Sequence, residues 1–320
     1  MSNSEKSRNG FPSGRATRDE AAPAKINLFL HVGDRRGDGF HPLQSLAVFT
    51  ALSDGLDAEP AEDLSLIVRG PFAAALSGEG DNLVLRAARA LLAKAGRLLG
   101  AKITLTKNLP IASGIGGGSA DAAATLRLLN TIWGLDLDLA VLIEIAAGLG
   151  SDIPVCVVSQ SRWMEGRGEV LSPVTSLPRL AMLLVNPGVA VPTKDVFAAL
   201  KTRSGVERGL PADGFADMAD LLRFLDASKN DLEEPARRLQ PLIGDVLAAL
   251  NALPGALFTR MSGSGATCFA LFPDDESCRR AAAMLSEAHR DWWVAPTFVP
   301  EFNIEHEEQG QDIGPTDEGL

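Results

Sequence analysis

The chain has 320 residues, of which 46% are hydrophobic, and it carries a formal net charge of −11. This length predicts two compact domains, and the apolar content excludes a chain that is disordered throughout. The acidic balance excludes a general nucleic-acid-binding surface, although a few cations and backbone N–H groups can still hold an anionic small molecule.

Both ends of the chain are polar. Residues 1–20 are rich in Ser, Asn, Gly and Arg, and residues 303–320 are acidic. Because such segments bury little apolar surface, we predict a disordered tail at each end. No apolar signal segment and no run of about 18 apolar residues stands out, so we expect a cytoplasmic protein without a membrane partner. Three cysteines without metal-binding spacing predict reduced thiols and no zinc site.

The first domain is predicted at residues 21–164. Alternating patterns predict its strands, and helical spacing of Leu and Ala predicts its helices. The predicted strands cover 25–32, 43–49, 64–69 and 102–107, and the predicted helices cover 82–99, 119–133 and 137–148. Residues 151–159 begin polar and continue as an apolar run, which we interpret as a further strand.

The second domain is predicted at residues 165–302, with a boundary near Glu165. Strands are predicted at 180–185, within the Gly-rich segment 261–272 and at 292–298, with helices after Pro187 and at 276–288. Strands and helices alternate irregularly, which favours an α+β fold over a doubly wound α/β sheet.

A glycine-rich loop follows the strand predicted at 102–107. Residues 110–120 read Pro-Ile-Ala-Ser-Gly-Ile-Gly-Gly-Gly-Ser-Ala. The glycines let the backbone approach a ligand and turn successive N–H groups toward an anion. Ser119 is predicted to cap the following helix, whose dipole favours negative charge at its N-terminus. The pattern therefore predicts a phosphate-binding loop.

Other interpretations of this loop fit less well. A Walker A loop ends in Gly-Lys-Ser/Thr, and no lysine follows these glycines. A Rossmann fingerprint requires an acidic residue after a second strand, where this sequence predicts a helix. A flexible linker is not expected between an alternating strand and a strong helix. The residues alone thus indicate a phosphate site that several folds share.

Three segments together resemble the superfamily of galactokinase, homoserine kinase, mevalonate kinase and phosphomevalonate kinase. They are Ala-Pro-Ala-Lys-Ile-Asn-Leu at 22–28, the glycine loop, and Met-Ser-Gly-Ser-Gly-Ala-Thr at 261–267. The resemblance implies a two-domain α+β small-molecule kinase fold. Its N-terminal ATP-binding domain resembles domain 2 of ribosomal protein S5, and its C-terminal domain is a ferredoxin-like α/β sandwich.

The same resemblance implies that ATP with Mg²⁺ is the phosphoryl donor. It identifies the glycine loop as the ATP-binding segment. Magnesium is expected to bind through the ATP phosphates; the sequence identifies no dedicated protein ligand for it, and Ser119 is one candidate. Residues 262–265 are expected to support this loop rather than contact phosphate. The implied ATP-binding residues are Pro110, Ile111, Ala112, Ser113, Gly114, Ile115, Gly116, Gly117, Gly118, Ser119 and Ala120.

Residues 36–45, 150–155 and 186–193 narrow the resemblance to one branch of the superfamily. That branch phosphorylates an alcohol linked to cytidine diphosphate on the non-mevalonate route to isoprenoids. The resemblance runs from about residue 22 to residue 298 and leaves both tails uncovered. We expect a small-molecule substrate, no nucleic-acid partner, and a monomer or weak homodimer.

Lys25 and Asp152 are the catalytic residues that the resemblance implies. A carboxylate beside the acceptor hydroxyl orients it and can accept its proton. From the residues alone, Asp152 in a Gly-Ser-Asp turn is more typical of a surface or helix-capping aspartate. Lys25 lies in an apolar strand, where it either faces outward or, if inward, requires a partner such as Asp152. Whether Asp152 takes the proton or only orients the hydroxyl stays open.

The resemblance also implies the residues that bind the acceptor. Asn27 shares a strand face with Lys25 and is expected to position the substrate. Thr193 is expected to contact its diphosphate or sugar. Phe40 and Phe197 are expected to stack on the cytosine base, and His41 to hydrogen-bond it.

The sequence departs from the family pattern at some positions, and two alternative functions remain. Tyrosine is frequent in the family at Phe40, and a phenyl ring retains stacking without the hydroxyl hydrogen bond. Ser151 stands where alanine is frequent, and the surroundings of Phe197 are also typical of a helix core. The alternatives are another alcohol kinase of the superfamily and a non-catalytic nucleotide-binding protein on the same fold.

Overall fold

The computed structural model describes residues 18–37, 39–76, 82–206 and 208–303. Within these ranges the strands are β1 (Arg18–Val32), β2 (Leu43–Ala61), β3 (Leu64–Arg69), β4 (Gly100–Thr106), β5 (Arg162–Glu165), β6 (Val170–Pro173), β7 (Ser176–Leu177), β8 (Leu180–Asn186), β9 (Phe258–Met261), β10 (Cys268–Phe272), β11 (Trp293–Val299) and β12 (Phe302–Asn303). The helices are α1 (Leu83–Ala95), α2 (Gly117–Ile132), α3 (Leu139–Ala147), α4 (Ile153–Val158), α5 (Thr193–Ala198), α6 (Met218–Asp226), α7 (Glu233–Leu239), α8 (Leu242–Asn251) and α9 (Asp275–Ala288).

The first sheet is built around the long strand β2. Its strand order is β3-β4-β2-β5-β6, and β1 pairs with β2 as well. The antiparallel pairing of β1 with β2 shifts in register between Pro23 and Lys25 and again between Asn27 and Phe29. Such irregularities re-aim the side chains of a strand. They flank the segment of β1 that carries Lys25 and Asn27.

Helices α1, α2 and α4 pack on the first sheet, and α3 packs on these helices. α2 is buried along most of its length and contributes a run of alanines to this core, including Ala122, Ala123 and Ala124. Small side chains let the helix lie close to β1 and β2. The N-terminus of α2 is thereby held next to β1.

The second sheet is antiparallel, in the order β11-β8-β10-β9. Helices α8 and α9 contribute to the core on one side of it. On its other side, residues such as Leu184 and Phe269 share a core with Ile26 and Leu28 of β1. The two sheets are therefore joined by a common apolar layer, and the last long strand, β11, belongs to the second sheet.

Most predicted strands are confirmed with shifted ends. The strand predicted at 64–69 is confirmed as β3, and the helix predicted at 276–288 is confirmed as α9, one residue longer. The strand predicted at 43–49 is too short, because β2 continues to Ala61 and pairs with β4 there. The domain boundary near Glu165 stays a prediction. The β5–β6 hairpin crosses it, and both strands of the hairpin belong to the first sheet.

The apolar strand predicted within residues 151–159 is wrong, because residues 153–158 form the helix α4. Pro154 lies in the first helical turn, where its missing N–H leaves no hydrogen bond unmade. Ile153, Val155, Cys156 and Val157 are all buried. The β-branched residues among them, Ile153, Val155 and Val157, favour a strand, but their burial overrides this intrinsic preference.

The predicted tails lie mostly outside the described residues, which leave out 1–17 and 304–320. Arg18 to Glu20, assigned to the first tail, instead form the start of β1 and pair with β2. Asn303, assigned to the second tail, ends β12. Among the described residues, no helix combines the length and the apolar character that crossing a membrane requires.

Candidate active site

The glycine loop joins β4 to α2 and borders a cleft of about 480 Å³. Gly114 and Gly116 have φ angles of 77° and 65°, in the left-handed region that residues with a side chain rarely adopt. Ala112 also has a positive φ, of 49°, a strained conformation that persists only where its surroundings hold it. The hydroxyl of Ser113 donates to the carbonyl oxygen of Pro110 at 2.7 Å. The loop therefore has a defined shape, unlike a linker.

The prediction that Ser119 caps α2 is wrong, because Gly116 is the N-cap residue and the helix begins at Gly117. A glycine at φ 65° lets the chain enter the helix earlier than a serine cap would. Ser119 is therefore inside the first turn, whose N–H groups have no intrahelical acceptor. Gly117, Gly118 and Ser119 all line the cleft. The backbone thus forms a site where the helix dipole favours an anion.

The segment between β9 and β10 supports the glycine loop from behind. The hydroxyl of Ser262 donates to the carbonyl oxygen of Gly114 at 3.0 Å, and the backbone N–H of Thr267 donates to the carbonyl oxygen of Ser113 at 3.0 Å. A Cβ added at Gly114 would lie 2.6 Å from the carbonyl oxygen of Ser262. The two glycine-rich segments are thus in direct backbone contact, as expected of a supporting role.

Lys25 and Asp152 face each other at the cleft. Nζ of Lys25 lies 2.8 Å from Oδ2 of Asp152. The lysine side chain is 3% exposed, whereas that of Asp152 is 42% exposed. Asp152 precedes α4 and makes no side-chain cap hydrogen bond, so its oxygens remain directed at other partners. The lysine stem packs on Gly116, where an added Cβ would lie 3.2 Å from Cβ of Lys25.

Asn27 lies two residues beyond Lys25 and also lines the cleft. Its Nδ2 donates to Oγ of Ser45 at 2.7 Å, and Ser45 in turn donates to the carbonyl oxygen of Phe29. Its backbone N–H donates to Oγ of Ser262 at 3.1 Å. These bonds fix the amide, because Nδ2 is held by β2 while the strand is held by the segment behind the glycine loop.

Thr193 is the first residue of α5 and lies at another wall of the cleft. Its hydroxyl is 2.8 Å from that of Ser264. Ser264 belongs to the same segment as Ser262. The sequence thus predicted Thr193 but missed the hydroxyl beside it, since 71 residues separate the pair.

The three predicted base-binding residues are only partly brought together. The rings of His41 and Phe197 are nearly parallel, with centroids 6.0 Å apart. Nδ1 of His41 donates to the carbonyl oxygen of Gly33 at 2.9 Å. Phe40 is 53% exposed and lies below the guanidinium of Arg167, 4.8 Å from the ring centroid. The structure thus places His41 beside Phe197, and the stacking of Phe40 and Phe197 on a cytosine base stays a prediction.

The cleft gathers most of the remaining predicted residues. Of the loop, Ile115 and Ala120 are buried at 0% and 2% exposure and form its support rather than its surface. The predicted residues that line the cleft are Lys25, Asn27, Pro110, Ile111, Ala112, Ser113, Gly114, Gly116, Gly117, Gly118, Ser119, Asp152, Thr193 and Phe197.

A buried ionic cluster below the glycine loop was missed. The ammonium of Lys107 contacts the carboxylates of Asp54 and Asp121, the latter at 2.7 Å. Oδ1 of Asp54 accepts the backbone N–H groups of Asn108 and Leu109. The only signal in the sequence was a lysine directly before the loop. Its partners come from β2 and α2, which only the folded chain brings together.

Comparison with known proteins identifies the family. The family model of the GHMP kinases N terminal domain matches residues 82–160, and that of the GHMP kinases C terminal domain matches residues 208–291. A 4-diphosphocytidyl-2-C-methyl-D-erythritol kinase of Rhodospirillum rubrum is 50% identical over 277 residues, which are 86% of this chain and 90% of that protein. The chain belongs to this kinase family.

Further members of the 4-diphosphocytidyl-2-C-methyl-D-erythritol kinase family are similarly close to this chain. The family member of Granulibacter bethesdensis is 52% identical over 267 residues, covering 82% of this chain and 88% of that protein. A crystal structure titled 4-(cytidine 5'-diphospho)-2C-methyl-D-erythritol kinase is 34% identical, with a TM-score of 0.70, and covers 88% of this chain and all of that one.

More distant structures share the fold alone. The crystal structure of L. major mevalonate kinase in complex with R-mevalonate is 15% identical to this chain and has a TM-score of 0.68. The match covers 90% of this chain and 98% of that one. The predicted two-domain α+β fold of the superfamily is thereby confirmed. As a member of the 4-diphosphocytidyl-2-C-methyl-D-erythritol kinase family, this chain is an enzyme, a phosphotransferase.

Proposed function

We propose that this protein transfers the γ-phosphoryl group of ATP to the 2-hydroxyl of 4-diphosphocytidyl-2-C-methyl-D-erythritol and releases ADP. The observation that carries the mechanism is the Lys25–Asp152 pair, 2.8 Å apart, beside the N-terminus of α2 in one cleft. The reaction belongs to the non-mevalonate route to isoprenoid precursors. We assign it to the cytoplasm, since Cys156, Cys268 and Cys278 are free thiols, as is typical of a reducing compartment.

The glycine loop is suited to the phosphates of ATP. The first-turn N–H groups of α2 and the positive-φ glycines before it present donors without intervening side chains. A magnesium ion bound to ATP would neutralise part of the charge on the phosphates. Ser119, inside that first turn and at the cleft, is the protein hydroxyl that we assign to it.

Asp152 is suited to the acceptor hydroxyl. Its carboxylate is partly exposed, while its ionic partner is buried. One oxygen is thus held by the Lys25 ammonium, and the carboxylate can still receive a hydrogen bond from an alcohol. Held in this way, Asp152 aligns the hydroxyl with the γ-phosphorus and accepts its proton during or after transfer.

Lys25 has a second task in this proposal. Its Nζ contacts Asp152 while its stem packs on Gly116, so the side chain lies between the acceptor side of the cleft and the phosphate loop. A fixed cation there stabilises the charge on the phosphoryl group as it transfers. Because the lysine is already buried and paired, this stabilisation requires little reorganisation.

The far side of the cleft is suited to the rest of the acceptor. Asn27 lies next to Lys25, and Thr193 with Ser264 offers two adjacent hydroxyls for the sugar or diphosphate. His41 donates from Nδ1 to Gly33, so in the neutral ring Nε2 is an acceptor for an exocyclic amine such as that of cytosine. The ring of Phe197 is stacked beside that of His41 at an interplanar angle of 25°, and Phe40 offers a second aromatic face.

Product analysis tests the proposal. The purified protein is incubated with Mg-ATP and 4-diphosphocytidyl-2-C-methyl-D-erythritol, and the products are followed by ³¹P NMR. We expect one new phosphomonoester resonance to grow with ADP, without splitting by a vicinal proton, because the tertiary carbon C2 carries no hydrogen. A new phosphate on another hydroxyl would contradict the assigned position, and ADP without a phosphorylated acceptor would contradict transfer.

A further inference from the structure

The hydroxyl of Ser45 on β2 lies against an irregular stretch of β1. The pairing of the two strands shifts in register between Asn27 and Phe29, and an irregularity of this kind disrupts the ladder locally. There the Ser45 hydroxyl donates to the carbonyl oxygen of Phe29 at 2.5 Å. Since a carbonyl oxygen can only accept, the direction of this hydrogen bond is fixed. Ser45 is only 1% exposed, so the protein determines its hydrogen bonds.

This hydroxyl determines which way round the amide of Asn27 lies. A hydroxyl has one proton, and in Ser45 that proton is used in the bond to Phe29. The Ser45 oxygen can then only accept, and an atom of the Asn27 amide lies 2.7 Å from it. That atom must be the nitrogen, because the amide oxygen carries no proton. Nδ2 of Asn27 is therefore directed at β2, and Oδ1 is directed away from it.

Oδ1 of Asn27 lies at the wall of the cleft that Gly263 also lines. A Cβ added at Gly263 would lie 3.4 Å from this oxygen. Within the part of the chain that the structure describes, Oδ1 accepts no hydrogen bond, whereas the backbone N–H and Nδ2 of the same residue both donate. Polar atoms enclosed by a ligand require a partner. Oδ1 is thus an acceptor available to a molecule in the cleft, on the strand that carries Lys25.

The group of the ligand that meets this oxygen must be a donor. The polyol of the proposed acceptor has free hydroxyls at its 1-, 2- and 3-positions, and the 2-hydroxyl is assigned to Asp152. The 1-hydroxyl and the 3-hydroxyl flank it, and each has a proton to donate. The diphosphate oxygens carry no proton, so Oδ1 would repel them. The amide of Asn27 therefore favours the polyol end of the acceptor beside Lys25 and disfavours the diphosphate there.

We propose that Ser45 is a positioning residue that holds the amide of Asn27 with Oδ1 toward the cleft, so that Asn27 accepts a hydrogen bond from the 1-hydroxyl or the 3-hydroxyl of the acceptor. This inference rests on the proposed function, which supplies the polyol. Ser45 acts only through Asn27. Without it the amide rotates, and the site loses its preference for a donor on the ligand.

Calorimetry on the full-length protein tests the polarity of this contact. The probes are the acceptor and its analogues in which hydrogen or fluorine replaces the 1-hydroxyl or the 3-hydroxyl, each titrated with the magnesium complex of the β,γ-imido analogue of ATP present. Fluorine accepts weakly and cannot donate, so it does not replace a donating hydroxyl. At one of the two positions we expect both replacements to weaken binding about tenfold, as for the loss of one hydrogen bond. In Asn27→Ala this penalty should disappear.

The positioning role is tested at Ser45. Ser45→Ala removes the oxygen that holds Nδ2 of Asn27, so we expect the penalty for the deoxy analogue to shrink severalfold. Ser45→Ala combined with Asn27→Ala should show the same penalty as Asn27→Ala alone, because two residues that act through one contact are not additive. The matched control is Ser53→Ala, at a serine on the same strand that does not line the cleft. It should retain the wild-type penalty.

The outcomes separate this inference from the proposed function. A fluorinated analogue that binds as tightly as the acceptor at the sensitive position, or no penalty at either position, overturns the inference and leaves the function intact. The same penalty in wild type and Ser45→Ala, or in wild type and Asn27→Ala, also overturns it. No binding of the acceptor by the wild type contradicts the proposed function itself. If Ser45→Ala does not fold, Ser45→Cys decides, since a thiol is a weak acceptor, and an unchanged penalty there overturns the inference.

Discussion

Lys25 and Asp152 form an ion pair whose two members differ sharply in exposure, 3% for the lysine and 42% for the aspartate. A buried ammonium without a partner is strongly unfavourable, and Asp152 supplies that partner for Lys25. The aspartate retains access to the cleft. This asymmetry leaves one group fixed and one group free to meet an acceptor.

Asp152→Asn is expected to lower kcat by about 10² or more, because the amide neither accepts a proton nor orients a hydroxyl in the same way. Binding of an ATP analogue should change little. Steady-state kinetics and calorimetry measure the two effects. The control is Asp138→Asn, at an exposed N-cap residue without a side-chain cap hydrogen bond. A kcat close to that of the wild type for Asp152→Asn would remove Asp152 from the base role.

Lys25→Met is expected to damage turnover more than ATP affinity. Methionine keeps the apolar stem that packs on Gly116 but leaves Asp152 without its cation. We expect kcat to fall by about 10² or more, as for loss of a fixed electrostatic group, while the KM for ATP changes less than tenfold. If Lys25→Met raised the KM for ATP and left kcat unchanged, Lys25 would be a nucleotide-binding residue only.

Gly114→Ala is expected to destabilise the fold by about 3 kcal/mol, since a positive φ costs an alanine about 1 kcal/mol and overpacking adds about 2 kcal/mol. The added Cβ would meet backbone atoms of Ser262 and Gly265 at 2.6 and 2.7 Å. Gly134→Ala is the matched control, because it has a positive φ of 56° with nothing within 4 Å of the added Cβ. Urea unfolding measures both.

The control defines the outcome at Gly114. Gly134→Ala should lose only the conformational part, about 1 kcal/mol. Equal losses for the two variants would mean that the contact between the glycine-rich segments is not needed for stability. A larger loss at Gly114, with a raised KM for ATP, would link that contact to the shape of the phosphate loop.

The raised pKa of Asp121 should make the free energy of unfolding depend on pH. Burial raises the pKa of this carboxyl to about 7, against about 3.9 in an unfolded chain. Between these values the folded protein retains a proton that the unfolded chain has lost, so the free energy of unfolding falls as pH rises from about 4 to about 7. Asp121→Asn lacks this dependence. The wild type should therefore lose stability relative to the variant, on the order of 3 kcal/mol across this window.

Urea unfolding of both proteins at several pH values between 4 and 8 measures that difference. Other carboxylates titrate in both proteins and cancel. A difference that is independent of pH would mean that Asp121 is ionised when folded. A difference that grows with pH has the wrong sign for a raised pKa.

The sequence predicted the parts of the site that are local. Lys25, the glycine loop and Asp152 each lie in a short segment whose pattern carries its own chemistry. The helix α4 was missed because β-branched residues in it are stabilised by burial rather than by intrinsic preference. The cap at Ser119 was missed because a positive φ at Gly116 starts the helix earlier.

Local sequence patterns could not predict contacts between residues that are far apart in the chain. Asp54, Lys107 and Asp121 come from β2, the end of β4 and α2, and their burial depends on how these elements pack. Arg260 illustrates the same limit: it is buried, with its guanidinium donating to carbonyl oxygens of Leu28, Leu225 and Ser228. Nothing in the local sequence distinguishes such an arginine from a surface residue.

The most direct measurement of the central claim is a comparison of acceptors. 4-Diphosphocytidyl-2-C-methyl-D-erythritol, mevalonate, phosphomevalonate and homoserine are each offered with Mg-ATP, and ADP release gives kcat/KM. We predict that the cytidyl acceptor exceeds each of the others by about 10² or more, as expected where a site is built to hydrogen-bond groups that the others lack. Turnover of homoserine or mevalonate without turnover of the cytidyl acceptor would contradict the proposed function.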